Sequence, residues 1–164
     1  MKKSAVAMTL TLIYALAASF GSTPATARAQ TQNQTTKAVL NEAFTFPDEC
    51  TGELLDVTDT TVVVCHDQQR ADGTFNEKCQ IVQDVTAVGE TSGTTYHGTA
   101  TFKDEFTTTD DCNFTFTNDG AVRLISPGPD TNLVLHFDDT TVMRDCQLAT
   151  DTHLHSADCR GSNK

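Results

Sequence analysis

Polar and apolar residues alternate with a period of two along much of the chain. From Thr95 to Phe106, the residues Tyr96, Gly98, Ala100, Phe102 and Phe106 fall on one side. His97, Thr99, Thr101, Lys103 and Glu105 fall on the other. That is the pattern of a half-buried strand with one wet face. From Phe44 onward Thr, Val and Phe are frequent, Trp is absent, and no long stretch carries a helical period. Thr and Val are stiff at χ1 and suit a pleated surface. The pattern predicts long strands at roughly 53–66, 76–87, 94–106, 112–126, 132–146 and 148–158. Turn chemistry separates most of them: Ala71-Asp72-Gly73, the run from Gly89 to Gly93, Thr107 to Asp110, and Pro127-Gly128-Pro129-Asp130. The break near Gln147 is weakly marked. Asn118-Asp119-Gly120 reads as a bulge or a separate hairpin inside the fourth segment. Gln30 to Lys37 is polar without periodicity, so residues 30–43 read as a flexible lead-in to a domain spanning 44–161, with 162–164 as a tail.

The cysteines sharpen this picture. The midpoint of Cys65 and Cys79 falls on Asp72, and that of Cys112 and Cys146 on Pro129, both inside recognised turns. Opposed residues of a hairpin share such a midpoint. Cys50 and Cys159 then flank the first and last predicted strands, which meet if an even-numbered up-and-down sheet closes on itself. The expected pairing is Cys50–Cys159, Cys65–Cys79 and Cys112–Cys146. The expected fold is an all-β, antiparallel up-and-down barrel of about six to eight strands, which removes both sheet edges. No Cys-x-x-Cys spacing supports zinc.

The N-terminus opens with Lys2 and Lys3, continues with an uncharged apolar run from Ala5 to Phe20, and reaches Ala27-Arg28-Ala29. These are the parts of a secretory signal peptide over residues 1–29, cleaved after Ala29. The double-lysine start has a bacterial look. Even cysteines in an exported chain read as disulfides of an oxidising compartment. Without residues 1–29 the chain keeps 8 basic against 22 acidic residues, a net charge of −14. So acidic a surface repels phosphate backbones and anionic lipid heads, which argues against nucleic-acid binding and against membrane insertion once the signal is gone.

Phe46-Pro47-Asp48-Glu49-Cys50-Thr51-Gly52-Glu53, Arg123-Leu124-Ile125-Ser126-Pro127-Gly128 with Asn132-Leu133-Val134, and Asp158-Cys159-Arg160-Gly161 together resemble a group of small secreted bacterial proteins. The resemblance implies a compact antiparallel barrel of lipocalin-like or allene-oxide-cyclase-like shape and carries no activity with it. Cys65, Cys79, Cys112 and Cys146 depart from that group and read as added stapling.

Candidate chemistry is sparse. Tyr96 lies on an apolar face, with Gly98 and Ala100 leaving space beside it. It reads first as a packed core tyrosine with its hydroxyl near the rim, and the functional alternative is a small apolar ligand next to Tyr96, Gly98 and Phe102. His136 alternates with Val134 and reads as an inward polar group. Arg123 and Arg144 are weaker anchors of the same kind. His153 and His155 share a strand face and could hold zinc or copper, but their spacing supplies no third ligand, so no metal and no cofactor is expected. The adjacent acidic pairs, such as Asp104-Glu105 and Asp138-Asp139, point to opposite strand faces and read as solvated charge. The sequence thus presents a secreted binding barrel for an apolar molecule. A cyclase- or isomerase-type enzyme using Tyr96 or His136, and an extracellular structural or interaction protein, stand as alternatives.

Overall fold

A computed structural model describes residues 31–127 and 132–160; the predicted signal peptide, the Gly128–Thr131 part of the Pro-Gly-Pro-Asp turn and the tail lie outside them. Seven antiparallel strands form one sheet: β1 (Gln32–Pro47), β2 (Leu54–Gln69), β3 (Phe75–Gly89), β4 (Thr95–Asp110), β5 (Asn113–Ile125), β6 (Asn132–Arg144) and β7 (Gln147–Arg160). Each strand pairs with its sequence neighbours, in the order β1 to β7. The predicted strands become β2 to β7. The lead-in is corrected: residues 32–47 form β1, paired with β2 along its whole length. It escapes a hydrophobicity reading because an edge strand is held by its ladder, and its inward positions Thr36, Ala38, Leu40 and Glu42 are only half-buried.

The expected closure does not form. No ladder joins β1 to β7, which remain the two edges of the sheet. All three expected disulfides are present, and no cysteine is free. Cys65 and Cys79 lie directly opposite each other in the β2–β3 register. Cys112 and Cys146 sit in the turns just beyond the β5–β6 ladder. Cys50–Cys159 ties the β1–β2 turn to the end of β7. Three disulfides are the covalent pattern of an oxidising compartment.

One face of the sheet carries the core. Leu55, Val57, Val85, Ala87, Tyr96, Ala100, Leu124, Leu133 and Leu135 form a single buried cluster drawn from β2 to β6. No second layer exists among the described residues, so this burial comes from the sheet curling over its own face. The curl is tightest at the end held by Cys50–Cys159, where Leu55, Ala87 and Leu133 are fully buried.

Local polar contacts set the turns. Asp48, itself buried, accepts hydrogen bonds from the Cys50 backbone N–H and the Thr51 hydroxyl, both at 2.8 Å. The Glu53 carboxylate accepts from the backbone N–H groups of Thr91 and Ser92 and from the Ser92 hydroxyl, locking the β1–β2 turn to the β3–β4 turn. Asn118-Asp119-Gly120 makes neither bulge nor hairpin. β5 runs through it in unbroken register, and the irregularities fall at Thr108/Asp110 and Val142/Met143. The glycine is there because the Phe102 ring lies over it, where a Cβ would overlap the ring.

Candidate functional site

Strand alternation sorts the aromatic residues strictly. Register places Phe44 and Phe46 beside Val57 and Leu55, Phe102 beside Ile81 and Gly120, Phe106 beside Glu77 and Phe116, and Phe137 beside Gly120 and His155. Phe75 and Phe114 follow the same parity on β3 and β5. All eight phenylalanines after residue 29 therefore share the face of the core. Yet none is fully buried. Six of them occupy the half of the face away from Cys50–Cys159. There Phe102 and Phe137 approach at 5.8 Å, Phe106 and Phe114 at 5.7 Å, and Phe75 and Phe106 at 6.5 Å between ring centres. Tilted pairs at these separations are favourable contacts. The tight end of the face is thus a packed core, and the wide end is a half-exposed aromatic floor.

A polar band crosses this floor. The register aligns Cys79, Asp104, Asn118, Asp139 and His153 across β3 to β7. One step further out lie Asp67, Glu77, Thr141 and Asp151. Burial raises the Asp104 carboxyl above its ordinary value, against the opposing effect of the Asn118 side-chain amide that donates to it. Burial, followed by the charges of Asp67 and Asp104, raises Glu77. Nearer the tight end, Asp59 accepts from Thr61 Oγ1 at 2.9 Å and from Gln83 Nε2 at 2.7 Å.

These shifts set a pH dependence. A carboxyl with a raised folded pKa keeps a proton that the unfolded chain has released, so stability falls as pH climbs from about 4 through the raised value. Glu53 acts oppositely. The Ser92 backbone N–H, first among its hydrogen bonds, lowers it, and its stabilising contribution disappears as pH falls through that lowered value. Stability should therefore peak in mild acid. Calorimetry between about pH 4 and 8 should show a melting temperature falling toward neutrality. Asp104→Asn should raise it at neutral pH and flatten the slope. A wild-type profile flat over that range would contradict this assignment.

The sequence-predicted site residues do not converge. Tyr96 is 1 % exposed, inside the core cluster. Gly98 leaves no space beside it, because the Arg123 carbonyl of β5 occupies the position a Cβ would take. Phe102 does lie on the aromatic floor. His136 is exposed and faces away from it, since alternation turns Leu133, Leu135 and Phe137 inward and His136 outward. Outward His136 borders a recess of about 680 Å³ with Thr101, Lys103, Asp119 and Asp138, whose lining also includes Phe102, Phe137, His153 and His155. Arg123 and Arg144 are exposed as well.

His153 and His155 come together with a residue that spacing alone could not supply. Asp139 of β6 lies directly opposite His153. Its Oδ1 accepts from His153 Nδ1 at 2.9 Å and from His155 Nε2 at 3.0 Å. His153 Nε2 also reaches Asp151 Oδ1 at 3.1 Å. These partners, the Asp139 hydrogen bond first, raise the His153 pKa. The His155 ring stands edge-on to Phe137 at 4.9 Å, which fixes its orientation.

No protein-family model matches the chain, and neither does any curated protein or solved structure.

Proposed function

We propose that the chain is exported by its N-terminal segment and works outside the cytoplasm as a binding module for a small amphipathic molecule. A single observation carries this reading: every phenylalanine of the domain lies on one sheet face, and the wide half of that face leaves them half-exposed. A face filled only for stability would cover such rings, because each buries a large apolar area and strengthens the core in proportion. The sheet works as an opened-out counterpart of the lipocalin-like barrels its sequence resembles, with the gap between β1 and β7 as the way in.

The polar band refines the ligand. Asp67, Glu77, Asp104 and Asp139 stand among the rings, so the favoured molecule has an apolar body and a hydrogen-bond-donating head, an amine or a hydroxyl. A carboxylate head would meet like charge. The test is a thermal-shift panel of long-chain amines, alcohols and fatty acids. Amines and alcohols should raise the melting temperature, by an amount equivalent to about 2.7 kcal/mol at a hundred times Kd. Phe102→Ala with Phe106→Ala should remove the effect while circular dichroism stays that of a β-sheet. Asp104→Asn should keep apolar binding but lose the preference for amines. Equal response to fatty acids, or no response to any class, would overturn the proposal.

A further inference from the structure

We propose that Asp139, His153 and His155 form a binding site for a divalent transition-metal ion, with zinc as the probe, on the β6–β7 edge of the sheet. One donor atom from each residue lies within 4.8 Å of the other two. Donors around a tetrahedral zinc at bonds of about 2.0–2.1 Å are separated by about 3.3 Å. The observed 2.9 and 3.0 Å from the Asp139 oxygen to the two imidazole nitrogens therefore need to open by only a few tenths of an ångström. The ladder holds the carboxylate and the imidazoles on one face, because Asp139 is paired with His153 and His155 follows two residues on.

Two further features have the form of a metal site. Asp151 accepts from His153 Nε2, which leaves Nδ1 facing the centre. A carboxylate on the far nitrogen of a ligating imidazole is the usual outer support of such sites, fixing tautomer and ring angle. Phe137 packs against the second imidazole and fixes it in the same way. The histidine side chains remain 38–39 % exposed, so the ion has an entry path and a fourth position open to water or a small ligand. Two imidazoles and one carboxylate favour zinc or copper over calcium or magnesium, which take oxygen ligands. Among the described residues the other grouping of potential ligands, Cys65, Glu77 and Cys79, has both sulfurs in a disulfide. Asp139 also belongs to the polar band and Phe137 to the aromatic floor. The zinc titration, however, reads His153 and His155, to which no part of the amphipathic ligand is assigned, so either proposal can fail without the other.

The experiment is titration of the oxidised protein with zinc chloride, followed by calorimetry and by the imidazole NMR resonances, with calcium chloride as control. Zinc should bind at one ion per chain and shift the resonances of His153 and His155, leaving those of His66, His97 and His136 in place. His153→Ala and His155→Ala should each weaken binding at least tenfold. Asp151→Asn should weaken it by a smaller factor. Because these side chains are partly exposed, the variants should keep the wild-type circular dichroism, and the NMR readout does not depend on them. Calcium binding as tight as zinc, zinc affinity unchanged in His155→Ala, or shifts spread over all five histidines would overturn the proposal and leave a hydrogen-bonded ion pair only.

Discussion

Replacing Cys50 and Cys159 with serine is expected to lower the melting temperature by roughly 10–20 °C. The two residues are 109 apart in sequence. In the chain-entropy description, freeing a loop of that length returns about 4–5 kcal/mol of disorder to the unfolded chain. The native side adds to the loss. No ladder joins β1 to β7, so this bridge is the covalent tie that holds the end of β7 against the β1–β2 turn. The fully buried residues Leu55, Leu133 and Ala87 lie at the same end, and their burial depends on the curl being kept. Cys65–Cys79 offers the contrast. Its partners are only 14 apart and already face each other in a ladder, so the Cys65→Ser, Cys79→Ser variant should lose less. Calorimetry of both variants under non-reducing conditions decides the matter. Equal losses would show that the long-range tie has no special weight.

Gly98→Ala is expected to destabilise the fold by roughly 3–5 kcal/mol, far beyond the usual cost of a surface change. A methyl group at Gly98 would overlap the carbonyl oxygen of Arg123 and crowd the backbone of Leu124. Backbone in a central ladder cannot move aside as a side chain can, so the β4–β5 pairing has to open around it. Gly120→Ala is the informative comparison. There the obstacle is the Phe102 ring, which can rotate, and the expected cost is nearer about 1 kcal/mol, with a displaced Phe102. Urea unfolding of the two variants gives the difference directly. A Gly98→Ala cost no larger than that of Gly120→Ala would mean the strands are less closely held than described.

The same position shows what a sequence reveals and what it hides. Alternation identified the facing of Tyr96, Gly98, Ala100, Phe102 and Phe106 correctly, because strand geometry alone fixes it. It could not tell that the missing side chain at Gly98 admits the Arg123 backbone of the neighbouring strand, or that Ala100 is packed inside the core. Cysteine midpoints gave Cys65–Cys79 and Cys112–Cys146 because hairpin symmetry is a property of the numbering. Cys50–Cys159 followed as the remaining pair, and it forms although the ladder closure expected to bring its ends together does not. β1 stayed hidden because its stabilisation comes from ladder hydrogen bonds, to which composition is blind. Asn118-Asp119-Gly120 has turn chemistry, yet all three residues serve the strand. Asn118 donates to Asp104, Asp119 faces solvent, and Gly120 receives a ring. Asp139 could not be matched to His153 beforehand. Their register depends on the tight turn at Asp145-Cys146, where both residues have positive φ without a glycine to announce it. The irregularity at Val142/Met143 shifts that register again.

β7 is exposed along its whole length and ends the described chain, which would ordinarily make it the first strand to fray. Its two ends are covalently occupied, by Cys146 just before its first residue and by Cys159 just before its last. A strand anchored in this way cannot peel from its free end. It can leave β6 only by bowing outward between two fixed points, with every backbone hydrogen bond of the span lost together. The terminal strand therefore behaves thermodynamically as an internal one, and the histidines it carries keep their place opposite Asp139 for as long as the disulfides are intact.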